Sequence, residues 1–295
     1  MRHTASRYSC TFHRNALILL LALSTSVARG QLLPNYALFD ARGKALSHKQ
    51  VLRSIASADV VLFGELHNNP IAHWLQLVVA RDLAARGPVV FGAEMIEADD
   101  QITLDRYLRG EIDQAAFDTL ARLWENHATD YAPLVDLAKE KKFPFVACNV
   151  PRRYARAVSQ GGFEALDTVP SPQRAWIAPL PIDFDPNLPG YVKMLEMMGD
   201  HASPNMAKAQ ALKDATMAHF ISRYAKPGVR FLHFNGSYHS DNHEGIGWYL
   251  QRTRPELKRV TIATVTQEQL KHLDPGNLDR ADIILCVDAA VPGSY

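Results

Sequence analysis

The sequence predicts an α/β protein: a parallel-rich sheet flanked by helices, with a mostly helical subdomain inserted between the third and fourth core strands. Three observations predict it. Apolar runs at 60–63 (VVLF), 89–93 (VVFGA), 231–234 (FLHF) and 283–287 (IILCV) are short and nearly free of polar residues, which suits strands buried on both faces. Segments with apolar residues at helical spacing alternate with these runs. Several runs end in a glycine or a carboxylate, on the edge where open sheets hold their ligands.

Taken in order, 36–46 (YALFDARGKAL) reads as a hairpin turning near Gly43, and 47–56 as a short helix. The opening core strand ends at Gly64, and Glu65 and His67 follow within three residues. Asn69-Pro70 then caps and opens a helix whose apolar positions are Ile71, Trp74, Leu75, Val78 and Val79; Gly87-Pro88 breaks it. The second strand ends at Glu94, placed either toward a site or against a hidden partner. A helical pattern spans 98–142, the third strand lies at 143–148, and Pro151 opens another helix. Six prolines between 169 and 190 mark loop and short helical pieces. Helices follow at 191–198 and 204–224, then strands at 230–235, 260–265 and 283–287.

At 295 residues, with 47% hydrophobic and 21% charged side chains, the chain suits one large domain with insertions, at about 98–142 and 151–226. A net charge of +1 with interspersed signs gives no support to a nucleic-acid partner. Residues 1–30 read as a signal peptide: Arg2, Arg7 and Arg14 precede the apolar run 16–23, which is shorter than the ~20 residues a span needs, and small residues follow. Export to a soluble periplasmic location is the expectation for 31–295. Cys10 precedes the apolar core, so it is not the lipid-bearing first residue of a mature lipoprotein. Cys148 and Cys286 sit in apolar runs and read as buried thiols, with a disulfide open only if their strands are neighbours.

Gly236-Ser237-Tyr238-His239 repeats the spacing of Gly64-Glu65-Leu66-His67, each just past an apolar strand. Glycine lets the backbone turn sharply there and throws the histidine onto the rim. His67 and His239, with Glu65 and Glu94, offer the nitrogen and oxygen ligands of a divalent transition metal; Asp241 and His243 stand close enough in sequence to orient them. Two histidines hydrogen-bonded to loops would give the same pattern.

FGELHNNP, FGAEM, AQALKDATMAHFI and FNGSYHSDNHEGI together resemble the ChaN-like haem-binding uptake proteins, of the superfamily that includes Tiki-type proteases and erythromycin esterase-like proteins. The resemblance runs from about 59 to 288 in one motif order. It implies an α/β core with a smaller helical part, export, and a role in haem or iron acquisition with a receptor or transporter component as partner. It maps the paired motifs onto Gly64, His67, Gly236 and His239, and the strand-end acid onto Glu94. In Tiki-type relatives such motifs are associated with metal-dependent peptide cleavage; that alternative would make His67 and His239 metal ligands and Glu65 or Glu94 the catalytic base.

A haem needs an axial donor, an apolar slot and cations for its propionates. The segment 190–206 supplies Tyr191 and His201 as donors, Lys193 as a cation, and Met194, Met197, Met198 and Met206 as soft apolar surface. Tyr154, beside Arg152, Arg153 and Arg156, is a further candidate. One small helical flap covers part of a macrocycle, so haem held between two subunits of a homodimer is also open.

Overall fold

The computed structural model describes residues 34–226 and 228–295. The expected signal peptide, and Cys10 with it, lies outside the described residues. Seven strands form one sheet: β1 (Tyr36–Asp40), β2 (Val60–Glu65), β3 (Val89–Glu97), β4 (Phe145–Asn149), β5 (Arg230–Gly236), β6 (Arg259–Gln267) and β7 (Ile283–Asp288), in the order β1-β7-β6-β2-β5-β3-β4. Every pairing is parallel except β1 with β7. The expected hairpin at 36–46 forms as one bridge, Phe39 to Ala45, with the Asp40 amide donating to the Lys44 carbonyl and the Leu46 amide to the Leu38 carbonyl, while all of β1 also pairs with β7.

Both faces are covered, as the apolar runs require. Along β2, Val61 and Phe63 pack into one apolar layer with Leu75, Val79 and Leu83 of α2 (Pro70–Ala84). Val60 and Leu62 point the other way, to Met217, Ala218 and Ile221 of α8 (Pro204–Tyr224) and Ile246 and Leu250 of α9 (Ile246–Thr253). α1 (His48–Ala56) joins β1 to β2, and between β3 and β4 run α3 (Gln101–Leu108), α4 (Gln114–Leu120), a π-helical turn (His127–Tyr131) and α5 (Ala132–Lys141). Between β4 and β5 come α6 (Arg152–Gly161), α7 (Pro189–Met198) and α8. Residues 34–295 form one compact unit, with α8 built into the layer that covers the sheet.

Local chemistry sets the ends. Asn69 accepts a hydrogen bond from the Ala72 amide at 2.9 Å, and Pro70 occupies the first helical turn, so α2 starts where its sequence directs. Its buried face differs from the expected one: His73 and Gln76 are buried while Trp74 is 48% exposed. The helix is rotated so that its polar pair meets Glu65. Cys148 and Cys286 are free and buried, on β4 and β7. Four strands separate these two, which at about 4.8 Å per strand puts them roughly 24 Å apart, beyond any disulfide. Among the described residues no helix is long and apolar enough to cross a membrane.

Candidate functional site at a strand crossing

β2 and β5 lie side by side, yet the chain leaving β2 enters α2 on one face and the chain leaving β5 reaches α9 on the other. The divergence opens a crevice at their carboxyl ends, the switch point of an open sheet. His67 follows β2 and His239 follows β5, so both imidazoles face this crevice. Glu94 comes to it from β3, which continues past it to Glu97 with a register shift against β4.

The glycines act differently from the expectation. Gly236 has φ −59° and ψ 140°, an ordinary extended conformation that any residue adopts. Its need is space: a Cβ there would lie 2.7 Å from His67 Nε2 and 3.5 Å from Glu94 Oε2. Gly64 is similar, with Ser237 Cα at 2.9 Å from a would-be Cβ. The paired glycines let two strand ends and an imidazole close up on one another.

Around His239 the donors and acceptors form a chain. Its Nε2 lies 3.1 Å from Glu94 Oε1 and its Nδ1 2.5 Å from Asp214 Oδ1; Asp214 Oδ2 in turn accepts the Tyr191 hydroxyl at 2.9 Å. Glu94 Oε2 accepts the Gly236 amide at 2.8 Å. Burial by itself would lower the His239 imidazole, but the Glu94 and Asp214 carboxylates outweigh it and hold it up at about 9. Burial opposes ionisation of Glu94, and the facing imidazolium overcomes it, leaving Glu94 well below the usual carboxylate range. Burial raises Asp214, so of the two acids it is the one that more readily takes a proton.

Glu65 organises the second half. It is buried and accepts from His67 Nδ1 at 2.9 Å, Tyr131 at 2.7 Å and Gln76 at 2.6 Å. His73 stands 3.4 Å from Glu65 and 3.0 Å from Asp130, within ion-pair range but off the hydrogen-bond angle. Tyr131 and Asp130 both come from the π-helical turn, a local widening of the helix in which both side chains are buried. Burial would raise Glu65, and the bond from His67 together with the nearby His73 imidazole lowers it on balance. His67 is raised, burial notwithstanding, by its bond to Glu65 and the charge of Glu94.

The four residues expected to share a metal are therefore brought together as two imidazole–carboxylate pairs. Among the described residues no three His, Cys, Asp or Glu side chains are grouped to hold a metal ion. Asp241 and His243 do not orient His239: Asp241 pairs with Arg280 at 2.7 Å and His243 lies 3.2 Å from Thr261. That work falls to Asp214, which the reading of single motifs missed. Its signal was an acid inside the apolar helical stretch 209–221, where a carboxylate needs a partner. Tyr131, Gln76 and His73 were missed for the same reason, each lying on a helix read for its apolar spacing alone.

Of the expected haem donors, Tyr191 is buried with its hydroxyl given to Asp214, and burial and that carboxylate push the phenol far up. Lys193 and His201 are exposed, on α7 and in the turn after it. Tyr154 is buried and bonded to Gln173, with the Arg153 guanidinium over its ring at 4.6 Å.

The family model for "Haem-binding uptake, Tiki superfamily, ChaN" matches residues 51–250. The chain belongs to the ChaN family. The ChaN of Campylobacter jejuni, solved in a study of cofacial haem binding, is similar in fold, with a TM-score of 0.65 at 18% identity over 86% of this chain and 97% of that one. An erythromycin esterase mutant in its open conformation aligns over 88% of this chain and all of that one, at 12% identity and a TM-score of 0.48. No curated protein matches the sequence. In this ChaN-family chain the matched segment spans β2 to α9, and so includes Glu65, His67, Glu94, Asp214 and His239.

Proposed function

We propose that this chain is an exported haem-binding protein of a haem or iron acquisition system, capturing haem or passing it on. Family membership supports the ligand, as does the haem bound by the Campylobacter jejuni relative. The observation that carries the reading for this chain is the outer face of α7. Met197 is 62% exposed there and Tyr238, from the turn after β5, is 41% exposed against it, with the Tyr238 hydroxyl 3.9 Å from the Met197 sulfur. Large apolar side chains left in water side by side mark a surface that takes a ligand. The residues fit a haem: an apolar and polarizable face, His201 as an exposed imidazole donor, and Lys193 as a cation for a propionate. Tyr191 would have to release Asp214 before it met an iron, so His201 carries the axial assignment.

Haem is the cargo and brings an iron centre and two carboxylates. The chain contributes one apolar face, a donor and a cation. The opposite face of the ring would be covered by a second copy of the chain or by the receptor or transporter component that receives it.

Haemin titrated into the purified protein should give a Soret band that saturates at a fixed ratio, and His201→Ala should shift it. Sedimentation of the loaded protein reports whether two copies share the ligand. No saturable band, with zinc, manganese or cobalt retained through purification, would favour a metal-dependent hydrolase using Glu65, His67, Glu94 and His239.

A further inference from the structure

A small polar chamber of about 40 Å³ lies between α7 and the turns that follow β5. Tyr191, Lys193, Tyr238, Asp241, Glu244 and Arg280 line it. Its volume suits a water or the tip of a side chain, not an organic ligand.

One acceptor in the chamber is unmet. Arg280 places both Nε, at 2.8 Å, and Nη2, at 2.7 Å, on the same Asp241 oxygen, Oδ2. Asp241 is only 9% exposed, and its Oδ1 is buried with no hydrogen-bond partner. A buried carboxylate oxygen left without a donor is costly, so such an atom calls for a partner. The other acid on the wall is served, since Glu244 Oε2 accepts the Gly190 amide at 2.6 Å.

Two cations border the chamber, and one of them is committed. Arg280 is held by Asp241 and also reaches Asn277 Oδ1 at 3.3 Å. Lys193 of α7 is exposed and pairs with no carboxylate among the described residues. Burial raises Asp241, while the charges of Arg280 and Lys193 act against that rise, so the ammonium stands near enough to be felt. A lysine carries a compact charge with three donors on a flexible stem, and it can turn inward without moving its helix. The helix itself is tethered unevenly. Its first turn is fixed by the Gly190 amide on Glu244 and the Tyr191 hydroxyl on Asp214, its last only by the Met197 contact with Tyr238 at 3.9 Å.

We propose that Lys193 and Asp241 form a latch: with no cargo bound, the ammonium closes onto Asp241 Oδ1 and pins the middle of α7. The second half of the proposal rests on the haem reading. A propionate of the cargo takes Lys193 in exchange, so Asp241 competes with the cargo for this cation. Asp241 is thus a positioning residue that tunes haem affinity without touching haem.

Hydrogen exchange in the haem-free full chain tests the latch, with the amides of 193–198 as readout and those of β5 as reference. Lys193→Met changes an exposed side chain and should speed α7 exchange at least threefold while leaving β5 unchanged. High salt should speed α7 exchange in the parent but not in Lys193→Met, because it screens a charge pair that the variant lacks. Asp241→Asn should also speed it, and adding Lys193→Met to that variant should do nothing further. The salt comparison leaves Asp241 intact and decides alone if Asp241→Asn does not fold. The latch is overturned if Lys193→Met exchanges like the parent, as it would if a water serves Asp241 Oδ1. It is equally overturned if the effects of the two substitutions multiply, or if salt acts alike on parent and variant. In the haemin titration, Asp241→Asn should bind at least threefold more tightly than the parent. That gain should vanish with the dimethyl ester of haemin, which has no free carboxylate, and in the Lys193→Met background. Affinity for haemin no higher than the parent's, or a gain that persists with the ester, overturns the competing role of Asp241. A parent with no saturable Soret band sinks the haem reading instead, and the exchange results on the latch stand apart from it.

Discussion

The rim of the sheet and the outer face of α7 lie at two ends of one thread of contacts, and they are built on opposite terms. At the rim, both oxygens of Glu65, Glu94 and Asp214 have partners within the chain, and His239 is bonded through both nitrogens. Along α7, Tyr191 turns inward to close that network while Met197, Lys193 and the following His201 stay in solvent. Buried ionisable groups are costly unless paired, so these three carboxylates and His239 depend on one another. Exposed apolar and donor groups cost the fold little, so the flap is free to keep them for something else. The first region is committed to stability, and the second is the face to which the proposed haem capture is given.

Glu94 offers the hardest way to break it. Glu94→Ala leaves the Gly236 amide and the His239 imidazolium without their acceptor, and should cost about 3–5 kcal/mol in chemical denaturation. Glu94→Gln keeps an acceptor oxygen and should cost less. A folded Glu94→Gln protein that no longer bound haemin would show that the two regions are not separate.

The pH dependence of stability comes next. His239 is raised in the fold to about 9 from an ordinary 6.5, so its contribution is full below pH 6.5 and fades as pH climbs through 9. The loss is of the order of 3 kcal/mol for this buried group. Glu94 is depressed, so its contribution is present above the ordinary carboxylate range and fades in acid. Denaturation midpoints should therefore be highest between about pH 5 and 6.5. A flat profile from 6.5 to 10 would sink the imidazolium assignment. In Glu94→Gln the alkaline limb should be shallower.

Gly236→Ala tests the close approach at the crevice. The added methyl would sit 2.7 Å from His67 Nε2, and the ring must move, at a cost of about 1–3 kcal/mol. If the variant is as stable as the parent and the His67 ring resonances by NMR are unshifted, the packing argument fails. Met197→Glu sharpens the comparison from the other side: haemin affinity should fall at least tenfold, while stability stays within about 0.5 kcal/mol.

Much of this was legible in the chain itself. The apolar runs located the core strands, the Asn69-Pro70 pair located the start of α2, and the repeated glycine-to-histidine spacing located the two imidazoles that the fold brings to one crevice. Other features were misread, each for a nameable reason. Trp74 looked buried because helical spacing does not say how a helix is rotated when a carboxylate such as Glu65 demands His73 and Gln76. Glu94 looked like a strand terminus because a register shift leaves no mark in composition. Asp241 and His243 looked like partners of His239 because they are near in sequence, but Asp214 on α8 is the one near in space.

By itself, the sequence determined the class of fold, the strands buried on both faces, and the two strand-end histidines, since local propensity and hydrophobic period are properties of neighbouring residues. Only the tertiary structure decided which acid faces which imidazole, that the glycines serve close approach and not a turn, and that Tyr191 looks inward. Those outcomes depend on distances between segments remote along the chain, and such distances exist only once the sheet order has been chosen.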